Sequence, residues 1–128
     1  NWLNGQTDQF EAIQKFRFAV PPQSTVPDIA VVKCDRLPQD NGPLNGSPDW
    51  LIEICSPGQS TLDLQAKILH CLRHETQLAW LIDFERQQVW VWAGAELPEI
   101  FVGEDALPML EGFPVLTVAQ VMAMTGRS

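Results

Sequence analysis

Two carboxylates stand inside otherwise apolar, strand-like runs. Asp28 follows Pro27 in Val-Pro-Asp-Ile-Ala-Val-Val (26–32), and Glu53 lies within Trp-Leu-Ile-Glu-Ile-Cys (50–55). A charge on a buried strand is costly unless it is paired or binds a cation. If the two strands are neighbours, the acids meet at one end of the sheet. Two carboxylates with added waters suit Mg2+ or Mn2+, ions that take oxygen ligands in octahedral geometry. The residues alone leave another account open, in which each acid pairs with a Lys or Arg or ends its strand in water. Lys67 is open in the same way. It lies one turn beyond Asp63 on an expected helix, where an i,i+4 surface pair contributes roughly a few tenths of a kcal/mol. Alternatively its ammonium points at the two acids, orienting a water and stabilising charge on a phosphate.

Other chemistries have less support. His70 and His74 have the i,i+4 spacing of a zinc pair, but the helix lacks the Glu of a zinc hydrolase motif, so a solvated polar face is the expectation. Cys71 falls on the helix's apolar stripe and Cys55 ends a strand, both as buried thiols. Asp49, after Pro48, reads as a strand-end residue. Ser56 caps the turn after Glu53 or hydrogen-bonds to a ligand carboxylate. The chain has no Gly-x-Ser-x-Gly nucleophile elbow and no glycine-rich phosphate loop.

The elements that must position Asp28, Glu53 and Lys67 follow from periodicity. Residues 1–14 are polar and mixed. Residues 15–20 alternate charged and apolar side chains, as a half-buried strand does, and Pro21-Pro22 stops them. Residues 26–32 and 50–55 are strands separated by a loop rich in Pro, Gly and Asn. Ser60 and Asp63 have the spacing of a helix N-cap. A helix is expected over about 62–75, with Leu64, Ile68, Cys71 and Leu72 as its apolar stripe. Strands at 78–83 and 88–92 make a hairpin, and the tail carries one or two short strands and a helix near 117–124. Strand, helix and strand joined by short loops form a right-handed crossover. The expected class is α/β, a mixed sheet with helical cover.

Composition bounds the rest. A chain of 128 residues suits one domain, 1–128, and can bury a core without staples. No apolar run is long enough to cross a bilayer and no signal peptide opens the chain, so no membrane role is expected. Three cysteines without CxxC spacing argue against a disulfide framework and for a reducing, cytoplasmic compartment. The net charge of −8 repels polyanions at long range, so a nucleic-acid substrate needs a local basic patch. Lys15, Arg17, Lys33, Arg36, Lys67 and Arg73 are the candidate suppliers. Trp90 and Trp92 share a face of the hairpin and suit core packing or contact with a second copy.

Together these segments resemble a bacterial family of restriction endonucleases, the Uma-two type. The resemblance is carried by Val-Pro-Asp-Ile-Ala-Val-Val (26–32), Ser-Pro-Asp-Trp-Leu-Ile-Glu-Ile-Cys-Ser-Pro (47–57), Asp63, Lys67 and Ala-Trp-Leu-Ile-Asp (79–83). That family is similar to PD-(D/E)XK nucleases, in which an Asp starting one strand and a Glu on the next bind a divalent metal. The resemblance implies that Asp28, Glu53 and the backbone carbonyl of Ile54 are metal ligands for Mg2+ or Mn2+. The Lys usually found two positions beyond the Glu is replaced by Cys55, and the helix Lys67 takes its place. Cys71, Thr76 and Ala79 depart from the family's usual Tyr, Gly and Tyr. The family carries an N-terminal helical region, and this chain is expected to start after it. The implied function is metal-dependent hydrolysis of DNA phosphodiester bonds, with a homodimer as the natural way to cut two strands. The alternative is a non-catalytic interaction or dimerisation domain that keeps the nuclease scaffold.

Overall fold

The structure is a computed structural model. It describes the backbone of residues 10–14, 18–20, 23–25, 28–33, 44–55, 58, 60–94 and 97–125, and the side chains of 10, 28–33, 46–55, 58, 60–94 and 97–124. The strands are β1 (Phe10–Gln14), β2 (Phe18–Val20), β3 (Gln23–Thr25), β4 (Ile29–Lys33), β5 (Leu44–Asn45), β6 (Trp50–Cys55), β7 (Leu78–Asp83), β8 (Gln88–Trp92) and β9 (Glu99–Val102). The helices are α1 (Thr61–Leu72) and α2 (Val118–Thr125).

Six strands form one mixed sheet in the order β1-β4-β6-β7-β8-β9, and β3-β2-β5 form a small second sheet. Within the large sheet β6 and β7 are parallel, and the other neighbouring pairs are antiparallel. A parallel pair cannot be closed by a tight turn and needs a crossover. Here α1 supplies it. Both faces are covered, which is why β6 and β7 read as nearly unbroken apolar runs. On one face Trp50, Ile52, Trp80 and Val91 pack beneath α2 and the segment before it, through Leu110, Phe113 and Val121. Trp50 meets Trp80 and Phe113 edge to face, with ring centroids 4.7 and 5.3 Å apart. On the other face Leu51, Cys55, Ala79, Leu81 and Trp92 pack against Leu64, Ile68 and Cys71 of α1.

Ser60 occupies the N-cap of α1 in extended conformation, but its side chain makes no capping hydrogen bond. Asp63 in the first turn still favours the positive end of the helix dipole. The helix stops at Leu72, short of the expected Glu75. Glu75 adopts a left-handed φ of 79°, and the Thr76 N–H returns to the Cys71 carbonyl at 3.3 Å, as in a Schellman ending. At α2 the Thr117 N–H donates to Gln120 Oε1 and the Gln120 N–H donates to Thr117 Oγ1, a reciprocal capping box that starts the helix one residue after Thr117.

Three sequence expectations change. Residues 10–14, read in the sequence only as polar and mixed, form an edge strand. The strand expected at 15–20 is seen as β2 over Phe18–Val20, with 15–17 outside the described residues. The expected loop at 34–48 contains the short β5, while 34–43 lie outside the described residues. Among the described residues no helix is long and apolar enough to cross a membrane.

Candidate active site

The site is set by strand register. β4 and β6 pair Ile29 with Ile52, Ala30 with Leu51 and Val31 with Trp50. One step further along the same ladder puts Asp28 opposite Glu53, on the face covered by α1. Residues directly opposite in an antiparallel pair have Cβ atoms roughly 5 Å apart, so the two acids meet. Asp28 Oδ2 also accepts a hydrogen bond from the Ile54 N–H at 2.8 Å, which fixes the carboxylate across the strand gap. The N–H and C=O of one extended residue point to the same side, so the Ile54 carbonyl faces the same edge as Asp28.

Lys67 completes the group. It precedes Ile68, which is fully buried against the sheet, and so borders the helix's apolar stripe. Its Nζ lies 2.8 Å from Glu53 Oε1, with the Lys67 side chain 26% exposed and that of Glu53 only 2%. The ammonium therefore points at the acids. This contact is at ion-pair distance, yet Oε1 has no well-directed hydrogen bond.

Burial pushes the Glu53 carboxyl up from 4.5 to about 7. Lys67 opposes the shift and the neighbouring Asp28 adds to it. A buried acid so disposed gains from any further positive charge brought to it.

The donor set suits a hard divalent cation. Glu53 Oε1 is a buried oxygen with unsatisfied accepting capacity, Asp28 lies beside it, and both are oxygen donors. Among the described residues no group of three or more His, Cys, Asp or Glu side chains could hold a metal. An ion held by Asp28, Glu53 and the Ile54 carbonyl would complete its shell with water, as Mg2+ commonly does.

The other sequence candidates fall elsewhere. Asp49 is buried at the opposite end of the sheet, where its Oδ2 accepts from the Lys33 N–H at 2.9 Å and its own N–H donates to the Val31 carbonyl. This is the strand-end role expected of it. His70 and His74 lie 4.7 Å apart, ring centroid to ring centroid, with His74 Nδ1 on the His70 carbonyl, and no third metal-ligating side chain joins them among the described residues. Cys55 and Cys71 are buried thiols outside any disulfide. Cys34 and Ser56 lie outside the described residues. Trp80 and Trp92 are core, while half-buried Trp90 donates to Gln88 Oε1. A cavity of about 490 Å3 opens beside Lys33, Ser47, Asp49, His74 and Gln77, at the sheet end away from Glu53.

One charged pair escaped the sequence analysis. Asp83 ends β7 with 1% exposure. Its Oδ1 accepts the Arg86 N–H at 3.1 Å and its Oδ2 accepts from Arg86 Nη1 at 2.9 Å. The signal was present, since an acid closes an otherwise apolar strand with an Arg three residues later.

Comparison with known proteins gives this geometry a context. A family model, Uma2, described as "Putative restriction endonuclease", matches residues 1–123. Among solved structures, a "putative nuclease belonging to DUF820" from Anabaena variabilis is similar, with 34% identity and a TM-score of 0.80. The match covers 90% of this chain and 69% of that one. No protein of curated function matches. With a match over nearly its whole length and a nuclease's mixed α/β sheet, the chain belongs to the Uma2 family of restriction-endonuclease-like proteins.

Proposed function

We propose that this chain is a metal-dependent endonuclease domain that hydrolyses DNA phosphodiester bonds, with Asp28, Glu53 and Lys67 as its catalytic residues. The observation that carries the reading is the Asp28 carboxylate held on the Ile54 N–H beside Glu53, with the Lys67 ammonium 2.8 Å from Glu53 Oε1. Asp28, Glu53 and the Ile54 carbonyl would hold Mg2+ or Mn2+. Such an ion supplies a polarised phosphate, a more acidic bound water and charge stabilisation for the leaving oxygen. The Ile54 N–H keeps Asp28 oriented, so a ligand oxygen is presented without searching rotamers. Burial keeps water from screening Glu53, which strengthens its grip on a cation. Lys67, still partly exposed, reaches from the helix to a phosphate oxygen and steadies the attacking water. Buried thiols at Cys55 and Cys71 suit the reducing, cytoplasmic setting in this reading.

A second reading keeps the scaffold without the chemistry. The Lys67–Glu53 contact favours it, because a buried acid already paired with an ammonium has less need of a metal. The edge strand β9 favours it too, since Ile100 and Val102 are 50% and 48% exposed, as at an interface between two copies. Calorimetric Mn2+ titration of the chain and of Glu53→Ala separates the readings, with circular dichroism as the check on folding. Binding to the first and none to a folded Glu53→Ala supports the nuclease. Absence of binding to both overturns the metal site and leaves the interaction domain.

A further inference from the structure

Arg86 lies in the turn between β7 and β8, at the sheet end that carries Glu53. Register fixes its place. Cys55 pairs with Asp83 across the parallel β6 and β7, so Asp83 is one strand over and two residues along from Glu53, on the same face. From strand rise and spacing their Cα atoms are about 8 Å apart. Closing the turn needs only the bond from the Arg86 N–H to Asp83 Oδ1. The second bond, from Nη1 to Oδ2, instead anchors the guanidinium on a carboxylate buried in the sheet. The Arg86 side chain remains 59% exposed. A guanidinium has five N–H donors in a rigid plane, so one anchored edge leaves other donors open to solvent.

The placement matters for a chain of net charge −8. The cations whose side chains are described are Lys33, Lys67, Arg73 and Arg86. Lys33 ends β4 and Arg73 follows the last turn of α1, both at the end of the sheet away from Glu53. Lys67 and Arg86 are the ones at the near end.

We infer that Arg86, held by the buried Asp83, binds a backbone phosphate of the nucleic acid beside the bond that is cut. Arg86 grips the strand and Asp83 positions it. Glu85, exposed in the same turn, opposes that contact. The inference rests on the nuclease reading above.

The test measures binding rather than cleavage. The full chain, Arg86→Gln, Arg86→Lys and Arg73→Gln are titrated with a fluorescent DNA duplex in Ca2+ over a range of salt. Each phosphate contact contributes about 0.9 to the slope of log K against log salt. Arg86→Gln is expected to weaken binding and lower the slope by about 1. Arg86→Lys keeps the slope, and Arg73→Gln leaves both quantities as they were. A role confined to the turn would lower the melting temperature of Arg86→Gln with an unchanged slope, and that result overturns the inference while the nuclease reading stands. An equal loss in Arg73→Gln overturns it too, as a general effect of charge. If the unaltered chain does not bind the duplex, the nuclease reading and this inference fall together.

Discussion

Two buried acids at opposite ends of the large sheet, Asp49 and Glu53, are held in different ways. Around Asp49 three buried side chains are bonded to backbone, while the neighbouring Trp50 Nε1 has no hydrogen-bond partner among the described residues. Asp49 Oδ2 takes the Lys33 N–H, Ser47 Oγ donates to the His74 carbonyl, and Thr76 Oγ1 donates to the Pro48 carbonyl at 2.7 Å. These bonds tie β4, β6 and the end of α1 together. At the other end Glu53 is equally buried but has an oxygen with no directed hydrogen bond, a second acid opposite it and one ammonium against it. A buried polar group whose bonds are complete stabilises the fold. One whose bonds are incomplete costs stability until something binds. The difference separates Glu53, the proposed metal ligand, from Asp49, a structural tie, although both are acids beside apolar strands.

That contrast can be broken experimentally. The largest effect is expected from Lys67→Met, which removes the ammonium but keeps the helix. DNA cleavage in Mg2+ should fall by about 10²–10³-fold, the usual loss when one charge-stabilising group is removed. Retention of full cleavage by a folded Lys67→Met would assign Lys67 to ion pairing alone.

Next comes a pH-dependent difference between the two acids. Glu53 has a folded pKa of about 7 against 4.5 for its ordinary value. The folded state thus holds its proton more tightly than the unfolded state, and in the metal-free protein stability falls as pH rises from about 4.5 to 7. The loss at pH 8 is about 3 kcal/mol. Glu53→Gln should remove this fall, making the metal-free protein more stable than the parent at pH 8 and little different near pH 4.5. Asp49→Ala should instead cost about 2 kcal/mol, because the Lys33 N–H loses its acceptor, while Mn2+ binding persists. Urea midpoints at the two pH values measure both. Equal behaviour of the two variants would erase the distinction between the sheet ends.

The smallest effect sharpens the same point. Glu75 holds a left-handed φ of 79° at the end of α1, beside the Asp49 cluster. A residue with a Cβ is strained there by about 1 kcal/mol. Glu75→Gly should raise the urea midpoint by a corresponding amount and leave metal binding unchanged. A change in Mn2+ affinity would mean that the two ends are coupled.

Much of this arrangement was legible in the sequence. The bounds of β6, β7 and β8 coincide with the apolar runs at 50–55, 78–83 and 88–92, because local periodicity and breakers define such strands. Asp28 and Glu53 stand out as charges in apolar runs, whereas Lys67 is singled out only by the family resemblance. β1 was missed because an edge strand need not be apolar, and Phe10–Gln14 gains its form from pairing with β4. The end of α1 was placed late because Glu75 is not a residue that normally signals a left-handed stop. The Asp83–Arg86 pair is not read from the sequence because Asp83 stands there only as the last residue of a strand, and its burial depends on its neighbours.

The sequence by itself determined the central strands, the two helices and which residue types are carried into the core, since periodicity, turns and caps act over a few residues. Tertiary structure decided the rest. Whether Asp28 faces Glu53 depends on β4–β6 register, and a slip of one residue would turn either acid to the opposite face. Whether Lys67 pairs with Asp63 or reaches Glu53 depends on how α1 lies over the sheet. The ionisation of Glu53 depends on desolvation, which exists only once strands and helix have closed around it.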